Sequence, residues 1–157
     1  MRLTRDLLYA APVADVLAML QDPVYWDRVA ERTGAISSAT TVTGDGEDVE
    51  VVTDQQQAVV GVPSFAKKFV GDSTRAIITA SWKGPQASYV VDTPGKPTSM
   101  SGTVRVAPKG DGSVVTYDLE VKASVPLVGG KIEKLVCDLT GEGFDHEHAA
   151  GVVYLAG

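Results

Sequence analysis

A chain of 157 residues with 44% hydrophobic and 22% charged side chains can bury a sizeable core without disulfides or metal. Its net charge of −6 argues against nucleic acid, whose phosphates require clustered Lys and Arg, and against an anionic membrane face. The single cysteine, Cys137, has no intrachain partner, which fits a reducing compartment.

Met1 to Asp6 lacks the apolar stretch of roughly 7–15 residues that a secretory signal needs. No segment reaches the roughly 18 apolar residues of a membrane span. The expectation is one domain over residues 1–157, cytoplasmic and without integral membrane association.

Arg2 to Tyr9 reads as a strand with Leu3, Leu7 and Tyr9 on one face. Pro12 suits the first turn of a helix, and Val13, Val16, Leu17 and Leu20 follow at helical spacing until Gln21-Asp22-Pro23 stops the run. Asp22 is placed to cap a second short helix with Pro23 at its first position. Tyr25, Trp26, Val29 and Ala30 give that helix an apolar face, and Gly34 ends it.

From Ala35 the texture turns to β. Ile36 to Thr43 and Asp48 to Gln57 make a hairpin around Gly44-Asp45-Gly46. Gly61 to Phe69 breaks the pattern: either Pro63 and Ser64 open a short helix presenting Phe65 and Phe69, or the segment is an irregular loop. Four more strands follow, Ser73 to Lys83, Gln86 to Asp92, Thr98 to Pro108 and Ser113 to Val125. Their apolar faces carry Ala76, Ile78, Ala80 and Trp82, then Tyr89 and Val91, then Met100, Gly102, Val104 and Val106. The last strand alternates Val115, Tyr117, Leu119, Val121, Ala123 and Val125 with polar residues, as a strand wet on one face and buried on the other must.

After the Pro126-Leu127-Val128-Gly129-Gly130 hinge a long helix closes the chain. Phased on Ile132, a stripe of Leu135, Val136, Leu139, Gly143, His146, Ala150, Val153 and Tyr154 shares one side. The meander of antiparallel strands needs a cover for its apolar face, and this helix is the element long enough to supply it.

The order strand, Ala-Pro, helix, Gln21-Asp22-Pro23 over residues 10–23 resembles the helix-grip fold of the START-like superfamily, which includes lipid-transfer domains, polyketide cyclases and aromatases, and birch-pollen-allergen-like proteins. The hinge Val125-Pro126-Leu127-Val128-Gly129-Gly130-Lys131-Ile132-Glu133 resembles, more narrowly, a family of uncharacterised bacterial proteins within it. The resemblance implies an α+β fold in which a curved antiparallel sheet of about seven strands wraps the long C-terminal helix, with two short helices after the first strand. It also implies a hydrophobic cavity between sheet and helix, but no catalytic residue.

Residue sizes leave the cavity open to two readings. Small residues on the inward faces (Ala76, Ala80, Gly102, Ala123, Gly143, Ala150) either make room for a ligand or let backbones approach closely. If a cavity exists, Trp26, Phe65, Phe69, Ile78, Trp82, Tyr89 and Met100 are its candidate lining, with Tyr117 and Leu119 from the last strand. Ile132, Val136, Leu139, Gly143 and His146 would close it from the helix, its mouth or polar anchor lying along the C-terminal half. The expected occupant is a lipid or other hydrophobic small molecule, in a binding or carrier protein.

His146 interrupts the helical stripe and could anchor a ligand or act as a general base, with Glu142 one turn away; the plainer alternative is a histidine satisfied by a neighbour. His146 and His148 stand at i, i+2, not the i, i+4 of a helical metal pair, and no Cys or His cluster elsewhere completes a site. Cys137 and His148 lie about 16 Å apart along a helix axis, too far for a dyad. G-x-S-x-G, P-loop and G-x-G-x-x-G patterns are absent. Neither metal nor cofactor is expected. An enzyme of the cyclase or hydrolase kind, using His146, Tyr89 or Tyr117, and an interaction domain with a filled core are the rival readings. The latter would leave no internal volume beyond a few waters.

Overall fold

A computed structural model describes every residue from Met1 to Gly157. In chain order the elements are β1 (Arg2–Tyr9), α1 (Val13–Leu20), α2 (Pro23–Thr33), β2 (Ser37–Asp45), β3 (Asp48–Ala58), α3 (Ser64–Val70), β4 (Ser73–Lys83), β5 (Gln86–Asp92), β6 (Thr98–Lys109), β7 (Gly112–Ala123) and α4 (Gly129–Leu155). The seven strands form one antiparallel sheet in the order β1-β7-β6-β5-β4-β3-β2. Every neighbour except β1–β7 is consecutive in sequence, so short turns set most registers, while β1 reaches the edge by pairing with the last strand. This is the helix-grip, START-like α+β architecture.

The alternation of β7 translates directly into burial. Val115, Tyr117, Leu119 and Val121 are each at most 2% exposed, whereas Glu120 and Lys122 face water. Each such apolar side chain contributes about 1.5–3 kcal/mol relative to exposure. The entry into α2 also follows local chemistry: the Asp22 carboxylate accepts the Val24 N–H at 2.9 Å, Pro23 occupies the first turn, and Gly34 closes the helix in the left-handed region. Of the two possibilities for residues 61–69, the structure has the helix, with Ala66 and Val70 as its buried side.

Helix α4 crosses β1 and β7 and packs against α1 and α2. Its buried residues are Ile132, Cys137, Gly141, Phe144, Glu147, Ala150 and Gly151. That face is rotated by about 100° from the stripe centred on Ile132. Leu139, His146 and Val153 are exposed and Gly143 is only half-buried, which corrects the expected stripe. The cause is close packing against β1. A Cβ at Gly151 would stand 2.7 Å from the Tyr9 ring, and one at Gly141 would meet the Arg5 guanidinium at 2.8 Å. Glycines with no hydrophobic signal therefore define the contact, and the apolar residues opposite are left outside.

Gly102 likewise resolves one of the two readings of small inward residues. A Cβ there would lie 2.0 Å from the Asp118 carbonyl oxygen on β7, so this glycine permits close backbone approach and adds no room.

Candidate functional site

Between the concave sheet face and the α1–α2 segment lies a pocket of about 30 Å³. That is the space of about one water. Ten residues line it, nine of them hydrophobic: Leu20 and Trp26 from the helices, and Val51, Thr53, Ile78, Ala80, Trp82, Tyr89, Val104 and Tyr117 from β3 to β7. None comes from α4, so the pocket lies under α1 and α2, not between the sheet and the C-terminal helix. Its lone polar wall residue, Thr53, is engaged by Thr40 across the β2–β3 pair at 2.9 Å. Ile78 and Val91, opposite one another across β4–β5, and Val136 on α4 are only half-buried.

The two indoles on the wall differ. Trp26 donates its Nε1–H to the Leu20 carbonyl at 2.9 Å. Trp82, 4% exposed, buries its Nε1–H with no partner. An orphaned donor of this kind costs about 1–3 kcal/mol.

Tyr117 connects the pocket to α4. Its ring stacks on Phe144 at 4.2 Å between centroids and meets Tyr89 edge-on at 5.5 Å. Its hydroxyl donates to Glu147 Oε1 at 3.1 Å. Glu147 is 8% exposed, and no Lys, Arg or His forms an ion pair with it. Burial lifts its carboxyl to about 8, against the opposing pull of the Tyr117 hydrogen bond. The acid is therefore mostly neutral at pH 7. Tyr25 donates to the Glu147 backbone carbonyl at 2.8 Å, and Tyr9, though close to Tyr25, keeps its buried hydroxyl without an aligned partner. Burial first, and then the Glu147 charge, raises the phenols of Tyr9, Tyr25, Tyr89 and Tyr117. The arrangement is one carboxyl ringed by phenols in an apolar core.

The structure brings Trp26, Ile78, Trp82, Tyr89 and Tyr117 together on the pocket wall. Met100, Leu119 and Ile132 are core residues away from it. Phe65 lies at the surface of α3 beneath Lys131, 5.7 Å from its ring centroid, and half-buried Phe69 sits beside Lys68. Val136 is half-buried, and neither it nor Leu139, Gly143 or His146 lines the pocket. His146 is exposed and makes no hydrogen bond to Glu142, so the expected anchor or base is not in the core. His148 is tied to β1 through the Leu8 carbonyl at 2.7 Å. Cys137 is buried, and burial pushes its thiol up, away from reactivity. No three His, Cys, Asp or Glu side chains converge on a common point for a metal. No helix is long and apolar enough to cross a membrane.

Sequence reasoning passed over Glu147. The available signal was Phe144, the aromatic of the helix's middle: counting from it, Glu147 at i+3 and Gly151 at i+7 fall on the same side.

A seven-stranded antiparallel sheet gripping a long C-terminal helix, with an apolar pocket on its concave face, is the helix-grip, START-like fold. Residues 5–155 match the family described as "Protein of unknown function (DUF2505)", and the chain belongs to it. Among solved structures it is similar to TTHA0849 from Thermus thermophilus, with a TM-score of 0.69 and 16% identity over 100% of both chains. It is also similar to the di-domain ARO/CYC StfQ from the steffimycin biosynthetic pathway, with a TM-score of 0.68 and 12% identity over 97% of this chain and 50% of that one. A STAR-related lipid transfer protein fragment from Xanthomonas axonopodis matches with a TM-score of 0.58 and 15% identity, over 98% of this chain and 85% of that one. No curated protein sequence matches.

Proposed function

We propose that this protein binds a small, mainly apolar molecule in the pocket beneath α1 and α2, which enlarges toward Ile78 and its cross-strand partner Val91 to receive it. The observation that carries the reading is the cost already present at this place. A filled structural core gains nothing from a carboxyl without a cation or an indole N–H without an acceptor. An unpartnered donor on a pocket-lining residue, with an acid bonded behind the Tyr117 of that wall, is the kind of polar group a recognition site uses. The fold is shared with proteins described as a lipid transfer protein and an aromatase/cyclase, which supports the same class of occupant.

Trp26 and Trp82 are the only tryptophans and both line the pocket, so intrinsic fluorescence reports occupancy. Titration with a panel of single- and two-ring hydrocarbons should give saturable changes that Ala80→Leu, which fills the pocket, abolishes without unfolding the protein. A flat response to the whole panel, with empty organic extracts of protein taken from its native host, would sink the proposal.

The resting volume of about 30 Å³ favours one rival, an interaction domain with a filled core. That reading expects the flat response and the empty extract.

A further inference from the structure

Resting on the binding reading above, we infer that the occupant is an uncharged ring compound carrying a hydrogen-bond acceptor such as a ketone oxygen, held by the indole N–H of Trp82, and that carboxylates are rejected. Three observations converge. Trp82 lines the pocket with a side chain 4% exposed, its Nε1–H is buried without a partner, and an indole nitrogen can only donate. An acceptor brought by a ligand converts that existing cost into a bond.

The charge of the site points the same way. No Lys, Arg or His lines the pocket, and the one ionisable side chain bonded to its wall is Glu147, through Tyr117. A carboxylate entering here would lose its hydration with no cation to compensate it. A free fatty acid or aromatic acid is thus a poor occupant, although its hydrocarbon part would fit. A cation would find only a neutral acid, behind the Tyr117 hydroxyl, and would leave the Trp82 donor unpaired. The walls themselves favour a ring: Trp26, Trp82, Tyr89 and Tyr117 supply faces and edges for stacking.

The test compares four probes of one ring size, ethylbenzene, acetophenone, benzoate and protonated phenethylamine, by ¹H–¹⁵N spectra of the two indole N–H groups. Acetophenone should bind about tenfold tighter than ethylbenzene, the worth of one buried hydrogen bond, and benzoate should not bind measurably. The Trp82 indole resonance should move downfield with acetophenone, while that of Trp26, already bonded to Leu20, holds its place. In Trp82→Phe the acetophenone advantage should vanish, leaving both neutral probes equal. Should that variant fail to fold, the wild-type indole shift still decides. Benzoate or phenethylamine binding as tightly as acetophenone, or acetophenone binding with an unmoved Trp82 resonance, overturns the inference and leaves the binding reading intact. Failure of every probe, ethylbenzene included, overturns both.

Discussion

Tyr117 on β7 and Glu147 on α4 meet across the sheet–helix interface, hydroxyl to carboxyl at 3.1 Å, and join the pocket wall to the middle of the core. Neither residue has an oppositely charged neighbour, so the pair is sustained by one hydrogen bond and by a proton on the acid. The energetics of the core follow from that proton.

Folding stability should fall as pH rises from about 4.5 to about 8. In that window the unfolded chain releases the Glu147 proton and the folded chain retains it, so the unfolded state binds fewer protons. The slope is about 1.4 kcal/mol per pH unit and flattens above the folded value. Glu147→Gln keeps an acceptor for Tyr117 and should remove this slope, making the variant the more stable protein at pH 8. Urea midpoints at half-unit pH intervals measure both curves, and parallel curves would contradict the assignment.

Gly102→Ala should destabilise by about 1–3 kcal/mol, because the added methyl meets the Asp118 carbonyl and the β6–β7 backbones must part. Gly143→Ala has open space around its Cβ and should be neutral or slightly stabilising from helix propensity. A denaturant titration of the two variants separates backbone approach from cavity formation as the reason for these small residues.

Asp22 caps α2 and also accepts the Tyr154 hydroxyl at the far end of α4. Asp22→Ala should cost about 1–2 kcal/mol, and Tyr154→Phe less than about 1 kcal/mol. Because the two groups touch, the double variant should lose less than the sum of the singles. Additive losses in a double-mutant cycle would show that the two ends are not coupled.

His146→Ala should change stability by no more than about 0.5 kcal/mol and leave pocket occupancy unaltered, since the side chain is exposed. A large loss of ligand binding in this variant would return the histidine to the site.

The pattern of residues along the chain was sufficient for the strands, the turns and the two early helices. Thirteen residues of alternation ending at Val125 can pair in only one facing, and Asp22-Pro23 with Gly34 states both ends of α2 in local chemistry. Five of the pocket residues, Trp26, Ile78, Trp82, Tyr89 and Tyr117, were legible for the same reason: they are large apolar side chains on faces that alternation fixes. The phase of α4 and the place of the polar group were decided only in three dimensions. Gly141 and Gly151 are buried because β1 presses Arg5 and Tyr9 against them, and a glycine carries no hydrophobic mark of that contact. Glu147 is buried despite its charge, because the packed phenols and a retained proton make a neutral acid tolerable there. Hydrophobicity along one chain records what a residue is, whereas close packing depends on what stands opposite, and only the fold supplies that.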